Sequence, residues 1–217
     1  SVKLGNFTDA SVINNGMINV SEAGLAAFVS PFVTNNGVIN AKMGQVHLAA
    51  GESVTVDMYG DGLFEVAVEG ELADAMIENK GVISAQGGTV QMTAKAAKDV
   101  ADNIINMEGV VDVSSVTQVG GKIILSGGSK GKVKVSGTAI ASGEENCDGG
   151  KVYFYADNNA IYRGSFYARG GALGGNGGFI ELSAANALGY DGSTNTSAAN
   201  GEAGSVLFDP RFIVIHS

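Results

Sequence analysis

The residues of this 217-residue chain that come nearest to a catalytic set are Asp157, Arg163 and Arg169, within "YADNNAIYRGSFYARG". Polysaccharide cleavage needs carboxylates converging on one exposed face beside a Lys or Arg. A sugar oxygen can then be protonated while a base or nucleophile is held opposite. These three only approximate such a set. Asp157, in "YADNNAIY", reads more simply as a turn former bonding its own backbone, so no catalytic residue is assigned and the chain is read as a non-enzyme. Metal sites fare no better. "DMYGDG" at 57–62 keeps the first, fifth and sixth positions of a calcium loop, but Tyr59 replaces the third ligand and Val68 stands where a bidentate Glu is needed. "GGNGG" at 174–178 lacks the Asp of calcium-binding nonapeptide repeats. His47 and His216 have no partner motif, and alternation turns His47 outward between Val46 and Leu48. "SGGSKGKV" lacks the spacing and the hydroxyl of a phosphate loop. No metal and no cofactor is expected.

Binding is better served. Five of the six Tyr lie between Tyr153 and Tyr190, and alternation sends Tyr153 and Tyr155 outward beside Lys151, with Tyr167 outward on another face. Rings that keep a polar tip can stack on sugars or dock a partner, so Lys151, Tyr153, Tyr155 and Tyr167 are the candidate binding residues. The opposing reading is that Tyr fills outward β positions by propensity alone. Asn6, Asn19 and Asn195 begin Asn-x-Ser/Thr triplets, the pattern of glycosylation acceptors.

Composition narrows the class. The net charge of −9 argues against a nucleic-acid partner, which needs basic stripes to neutralise phosphates. Eight of the 22 carboxylates fall between Glu52 and Glu78, and the basic run of Lys130, Lys132 and Lys134 reads as one solvated strand face. Cys147 is the single cysteine, so no internal disulfide staples the fold. No uncharged apolar run reaches the roughly 18 residues needed to span a bilayer, and "SVKLGNFTDA" does not have the form of a signal peptide. Thirty-three Gly are spread through the chain instead of being pooled in a linker.

Those glycines mark a repeat. "VINNGMINV", "FVTNNGVINA" and "MIENKGVISA" restate one pattern, and aligning on its Gly yields Gly16, Gly37, Gly81, Gly109, Gly137, Gly164 and Gly192, at intervals of 21, 44, 28, 28, 27 and 28 residues. A second pattern, Gly followed by alternating apolar residues, recurs after each, as in "GQVHLAA", "GTVQMTA", "GKIILSG", "GKVYFYA" and "GFIELSA". A fixed period of this size signals stacked supersecondary units, and the period-two alternation makes those units strands. The economical fold is all-β, a parallel β-helix of about seven coils in which each strand lies on its equivalent in the coil below. At the sheet spacing of about 4.8 Å it would be a rod of roughly 34 Å.

The inward positions follow by alternation: Ile39 and Ala41, Ile83 and Ala85, Val111 and Val113 after the first motif, and Val46 and Leu48, Val90 and Met92, Ile123 and Leu125 after the second. Gly at each corner is expected to supply a positive φ. Asn14, Asn35 and Asn79, two residues before their Gly, are expected to stack as a ladder bonding the backbone there. The chain reads as a single β-helix segment over 1–217 with two insertions: a β-hairpin over 52–75 around "GDG", and a short surface helix over 94–103 in the Ala- and Lys-rich stretch. Neither end is visibly capped, so the solenoid is expected to continue covalently or to stack on copies of itself.

The run "GLAAFVSPFVTNNGVINAKMGQVHLAAGESVTVDMYGDGLFEVAVEG", continuing through "NKGVISAQGGTVQMTAKAA" and "GGNGGFIELSAAN" to "SVLFDPRFIVI", resembles large secreted exoproteins of the filamentous haemagglutinin family, exported by two-partner secretion. The resemblance covers roughly residues 12 to 215, and "GQVHLAAGESVTVD" and "YGDGL" are its more specific phrases. It implies the right hand of the β-helix, a Gram-negative source, passage through an outer-membrane partner pore, and work at the cell surface or in the medium as an adhesin, filament or stalk. The family's "Asn-Pro-Asn-Gly" export signature is absent from this chain, which places these residues in the β-helical region following the secretion domain. The functional expectation is a rigid stalk with an attachment surface, for which the resemblance implies host-cell or biofilm glycans as ligands. The alternatives are a self-assembling extracellular filament and, behind it, a polysaccharide-active enzyme.

Overall fold

The structure, a computed structural model, describes residues 2–3, 9–51, 53–57, 65–69, 75–95, 103–116, 120–128 and 132–215, with the backbone alone at 2–3, 53–57, 65–69 and 103. Short parallel strands recur on three faces of a solenoid. The first face carries Ser11–Asn14, Phe32–Asn35, Met76–Asn79, Asn103–Met107, Lys132–Val135 and Ala160–Tyr162. The second is a seven-stranded parallel sheet from Met17–Asn19 to Ser193–Asn195. The third runs Leu25–Val29, Gln45–Ala50, Thr89–Lys95, Lys122–Gly128 and Lys151–Ala156. Two longer strands, Phe179–Tyr190 and Ser205–Ile215, turn the corner from the third face onto the first and so join both into one sheet.

Like residues stack in columns because the strands of the second and third faces pair without slipping. On the third face Phe28, Leu48, Met92, Leu125, Phe154, Leu182 and Phe208 are successive register partners. On the second, Ile39, Ile83, Val111, Ala139 and Phe166 do the same and are fully buried. A one-residue slip would turn every such side chain to solvent, so the apolar pattern itself enforces the register. One coil is filled by rings: Phe154 from the third face, Tyr162 from the first and Phe166 from the second, with the Phe154 and Phe166 centroids 5.2 Å apart and edge to face. Small Ala160 and Ala139 occupy the adjoining inward positions on those faces, leaving room for the rings.

The corner glycines serve a purpose other than the expected one. Among the described glycines positive φ occurs at Gly87 and Gly175 but at none of the seven of the first motif. What they provide is close approach. A Cβ at Gly37 would run into the Gly16 carbonyl oxygen, one at Gly81 into that of Gly37, and one at Gly137 into that of Gly109. The backbone at each corner lies on the backbone of the corner below, as in the carbonyl of Met107, which accepts the amides of both Ser136 and Gly137. Gly137→Ala should therefore cost about 3 kcal/mol in urea denaturation. Gly16→Ala, whose Cβ would meet only the Asn14 Oδ1 at 4.0 Å, should be close to neutral.

A three-stranded antiparallel sheet stands apart from the solenoid. Ser53–Asp57 pairs antiparallel with Glu65–Glu69, and Val2–Lys3 adds a third antiparallel strand. Most of the 57–62 loop lies outside the described residues. So does most of the expected helix: Ala94 and Lys95 instead complete a third-face strand, in register with Gly127 and Gly128, and Asn103 opens a first-face strand. The pairing of Asn103–Met107 with Lys132–Val135 slips at Ile104, which is buried beside the Cα of Gly127.

Candidate functional site

The third face carries the surface with the most developed chemistry. Lys151, Tyr153 and Tyr155 alternate outward along one strand, while Tyr167 lies on the second face, where the Arg169 guanidinium covers its ring at 5.2 Å. The structure thus brings three of the four candidate residues together and leaves the fourth apart. The Tyr153 and Tyr155 rings lie side by side, nearly parallel at 14°, with centroids 6.1 Å apart. Phe179, from the next coil, tilts against Tyr153 at 5.7 Å. From the coil before, the Lys122 Nζ lies 5.3 Å from the centroid of the Tyr153 ring.

Glu181 organises the other end. Its Oε2 accepts a hydrogen bond from the Tyr155 hydroxyl at 3.2 Å, and its Oε1 accepts one from the Ser183 hydroxyl at 2.9 Å. Burial first, then the charge and hydrogen bond of Glu181, push the Tyr155 hydroxyl up to about 12, so it stays a donor at neutral pH. Reading "YFYA" alone misses Phe179, Glu181 and Lys122. The aligned second motifs contain them: stacking Gly121, Gly150 and Gly178 sets Lys122, Lys151 and Phe179 in one column and Ile124, Tyr153 and Glu181 in the next.

The asparagine ladder runs through the first three strands of the first face. Asn14 Nδ2 donates to Asn35 Oδ1 and Asn35 Nδ2 donates to Asn79 Oδ1, both at 2.8 Å, while Asn14 Oδ1 accepts the Gly16 amide at 3.0 Å. These side chains bond mainly one another, and the corner backbone only at Gly16. The ladder stops at Asn79, whose register partner in the following coil is Met107 and whose buried Nδ2 has no hydrogen-bond partner.

Asp157, Arg163 and Arg169 follow strands of the third, first and second face respectively, so they occupy three different corners and share no face. His47 departs from expectation. It points outward but is only 2% exposed, because the strand Glu65–Glu69 packs over Gln45–Ala50 and Thr89–Lys95. Its Nε2 lies 2.9 Å from Gln45 Oε1 and its Nδ1 has no partner. Desolvation lowers its pKa from 6.5 to about 4. The unfolded chain therefore binds this proton more readily than the folded one, so the contribution is complete above pH 6.5 and is lost as pH falls towards 4. Comparing urea midpoints at pH 7.5 and 4.5, the wild type should lose up to about 3 kcal/mol more than His47→Gln. His216 lies outside the described residues.

The comparisons bear out the resemblance to two-partner secretion exoproteins, although the solved neighbour is a secretion domain and the missing export signature had set this chain in the region after one. The chain shares the fold of the HMW1 secretion domain from Haemophilus influenzae, with a TM-score of 0.67 over 95% of this chain and 66% of that one, at 17% identity. Over 117 residues, half of this chain, it is 27% identical to a heme/hemopexin-binding protein of Haemophilus influenzae. The match spans 12% of that protein's length. No protein-family model matches the chain.

Proposed function

We propose that this chain is a segment of a large secreted exoprotein of the two-partner secretion kind, a right-handed β-helix of about seven coils that acts as a rigid spacer at the surface of a Gram-negative cell. The observation that carries this reading is the register kept from coil to coil on the second and third faces, whose hydrogen bonds run along the solenoid axis. Such a rod bends little, because bending must open ladders and separate packed columns together. Likeness to a secretion domain supports export through an outer-membrane partner pore, and the absence of disulfides suits a chain that folds after passage.

The test is to follow the native polypeptide containing these residues with an antibody against the chain, on intact cells and in the medium, before and after removal of the partner pore. The expected result is a polypeptide many times 21.9 kDa, surface-exposed or released, and lost from both fractions without the pore. Retention inside the cell with the pore present would refute it.

A second reading, copies stacked end to end as a filament, is favoured by the strand Ser205–Ile215, on which Phe212, Val214 and Ile215 are more than half exposed. It requires a native mass near 21.9 kDa and concentration-dependent lengthening that Val206→Pro abolishes.

A further inference from the structure

The three rings of the third face do not end at Phe179. Beside them, where the chain enters that face, lies a groove of about 350 Å³ lined by Asp148, Lys151, Asn176, Phe179, Glu202 and the glycine corners. Its floor is bare backbone. A Cβ at Gly178 would strike the Gly150 carbonyl oxygen, and one at Gly204 that of Gly178, so no side chain can fill it while the coils remain stacked. The walls are tied rung to rung: Asp148 Oδ1 accepts the Asn176 amide at 2.6 Å, and Asn176 Oδ1 accepts the Glu202 amide at 2.9 Å. Lys151 and Phe179 line the groove and also border the ring platform, so groove and platform form one continuous surface.

We infer that this surface binds an uncharged oligosaccharide, with one pyranose seated in the groove against Phe179 and the chain running over Tyr153 and Tyr155. The chemistry selects that ligand. A pyranose has an apolar C–H face for a ring and a rim of hydroxyls that both donate and accept. The rim here offers acceptors at Asp148 and Glu202 and a donor at Lys151. An acidic sugar or a nucleotide would also find rings, but would bring its charge against Asp148, Glu202 and Glu181 on a chain of net charge −9. Tyr155 is fixed by its bond to Glu181, and Lys122 sits over Tyr153, so the platform is ordered before a ligand arrives and little side-chain freedom is lost on binding. This assignment is independent of the spacer role, since a rigid rod needs no ligand and a glycan site needs no particular parent length.

The test is titration calorimetry of the 217-residue chain with cellotriose, maltotriose and triacetylchitotriose, and with trigalacturonate as the acidic counterpart. At least one neutral trisaccharide should bind saturably with unit stoichiometry, and more tightly than trigalacturonate. Phe179→Ala and Tyr153→Ala should each weaken that binding at least tenfold, Phe179→Tyr should preserve it, and Glu202→Gln should weaken it severalfold. Circular dichroism checks that the variants keep the fold. Saturation-transfer NMR on the wild type gives a second readout, in which the sugar C–H protons should receive magnetisation from aromatic protons. The inference is overturned if no neutral probe binds, if trigalacturonate binds more tightly, if folded Phe179→Ala binds as the wild type does, or if no transfer from aromatic protons is seen.

Discussion

Asn35→Ala should destabilise the protein by about 4 kcal/mol, read as a fall in the urea midpoint with the slope unchanged. Asn35 is fully buried and sits in the middle of the ladder, accepting from Asn14 and donating to Asn79. Truncation removes both bonds at once and leaves two orphans, the Asn14 amide group and the Asn79 carbonyl oxygen, in a place water does not reach. An unsatisfied buried group costs about 1–3 kcal/mol, and the small cavity adds to it. Asn79→Ala provides the internal comparison. It breaks one ladder bond instead of two and also deletes the Nδ2 that already lacks a partner, so it should cost roughly half as much. Equal losses from the two variants would show that side-chain volume, not hydrogen bonding, holds this corner.

Phe154→Ala should cost a similar amount, about 4 kcal/mol, through a different term. Phe154 is fully buried, with Tyr162 at 5.7 Å and Phe166 at 5.2 Å between ring centroids. Neither neighbour can move in to fill the gap easily. The Tyr162 hydroxyl is anchored to the carbonyls of Phe154 and Ser183 at 3.3 and 3.1 Å, and burial holds that phenol far above its ordinary pKa, as a permanent donor. Phe154→Leu matches the neighbours in the column, Leu125 and Leu182, and should cost only about 1 kcal/mol. Thermal unfolding of both variants would check the contrast. If leucine proved as harmful as alanine, the coil would depend on ring geometry and not on filled volume.

The two variants separate the forces that make the solenoid stiff. At the ladder, polar side chains satisfy one another along the axis. In the aromatic coil, three faces meet around one packed layer. Stacked coils rely on both, since the first resists slippage between coils and the second resists collapse of the cross-section.

Much of this was legible in the residues. Val46, Leu48, Val90, Met92, Ile123 and Leu125 are all buried as alternation demands, because a strand has only two sides and a solenoid has only one inside. The Asn repeats could be set in line for the same reason: equal spacing in a stacked fold means equal place. Neighbours in space account for what the residues do not show. His47 stands on the outer side of its strand, and nothing in "GQVHLAA" says that a later segment returns to cover it. The repeat marks the glycines but not the reason for them, since the contact that excludes a Cβ comes from a backbone 20 to 44 residues away. Tyr153 and Tyr155 were picked out by type, yet their platform includes Lys122, Phe179 and Glu181 from the coils on either side.

The sequence by itself determined the repeat, the inward and outward sides of each strand and the positions of the corners, because these depend on periodicities carried along the chain. Only the tertiary structure decided which outward residues become a surface and which are covered. That choice rests on contacts between coils and on where the insertion folds back, and neither leaves a periodic mark in the residues that make it.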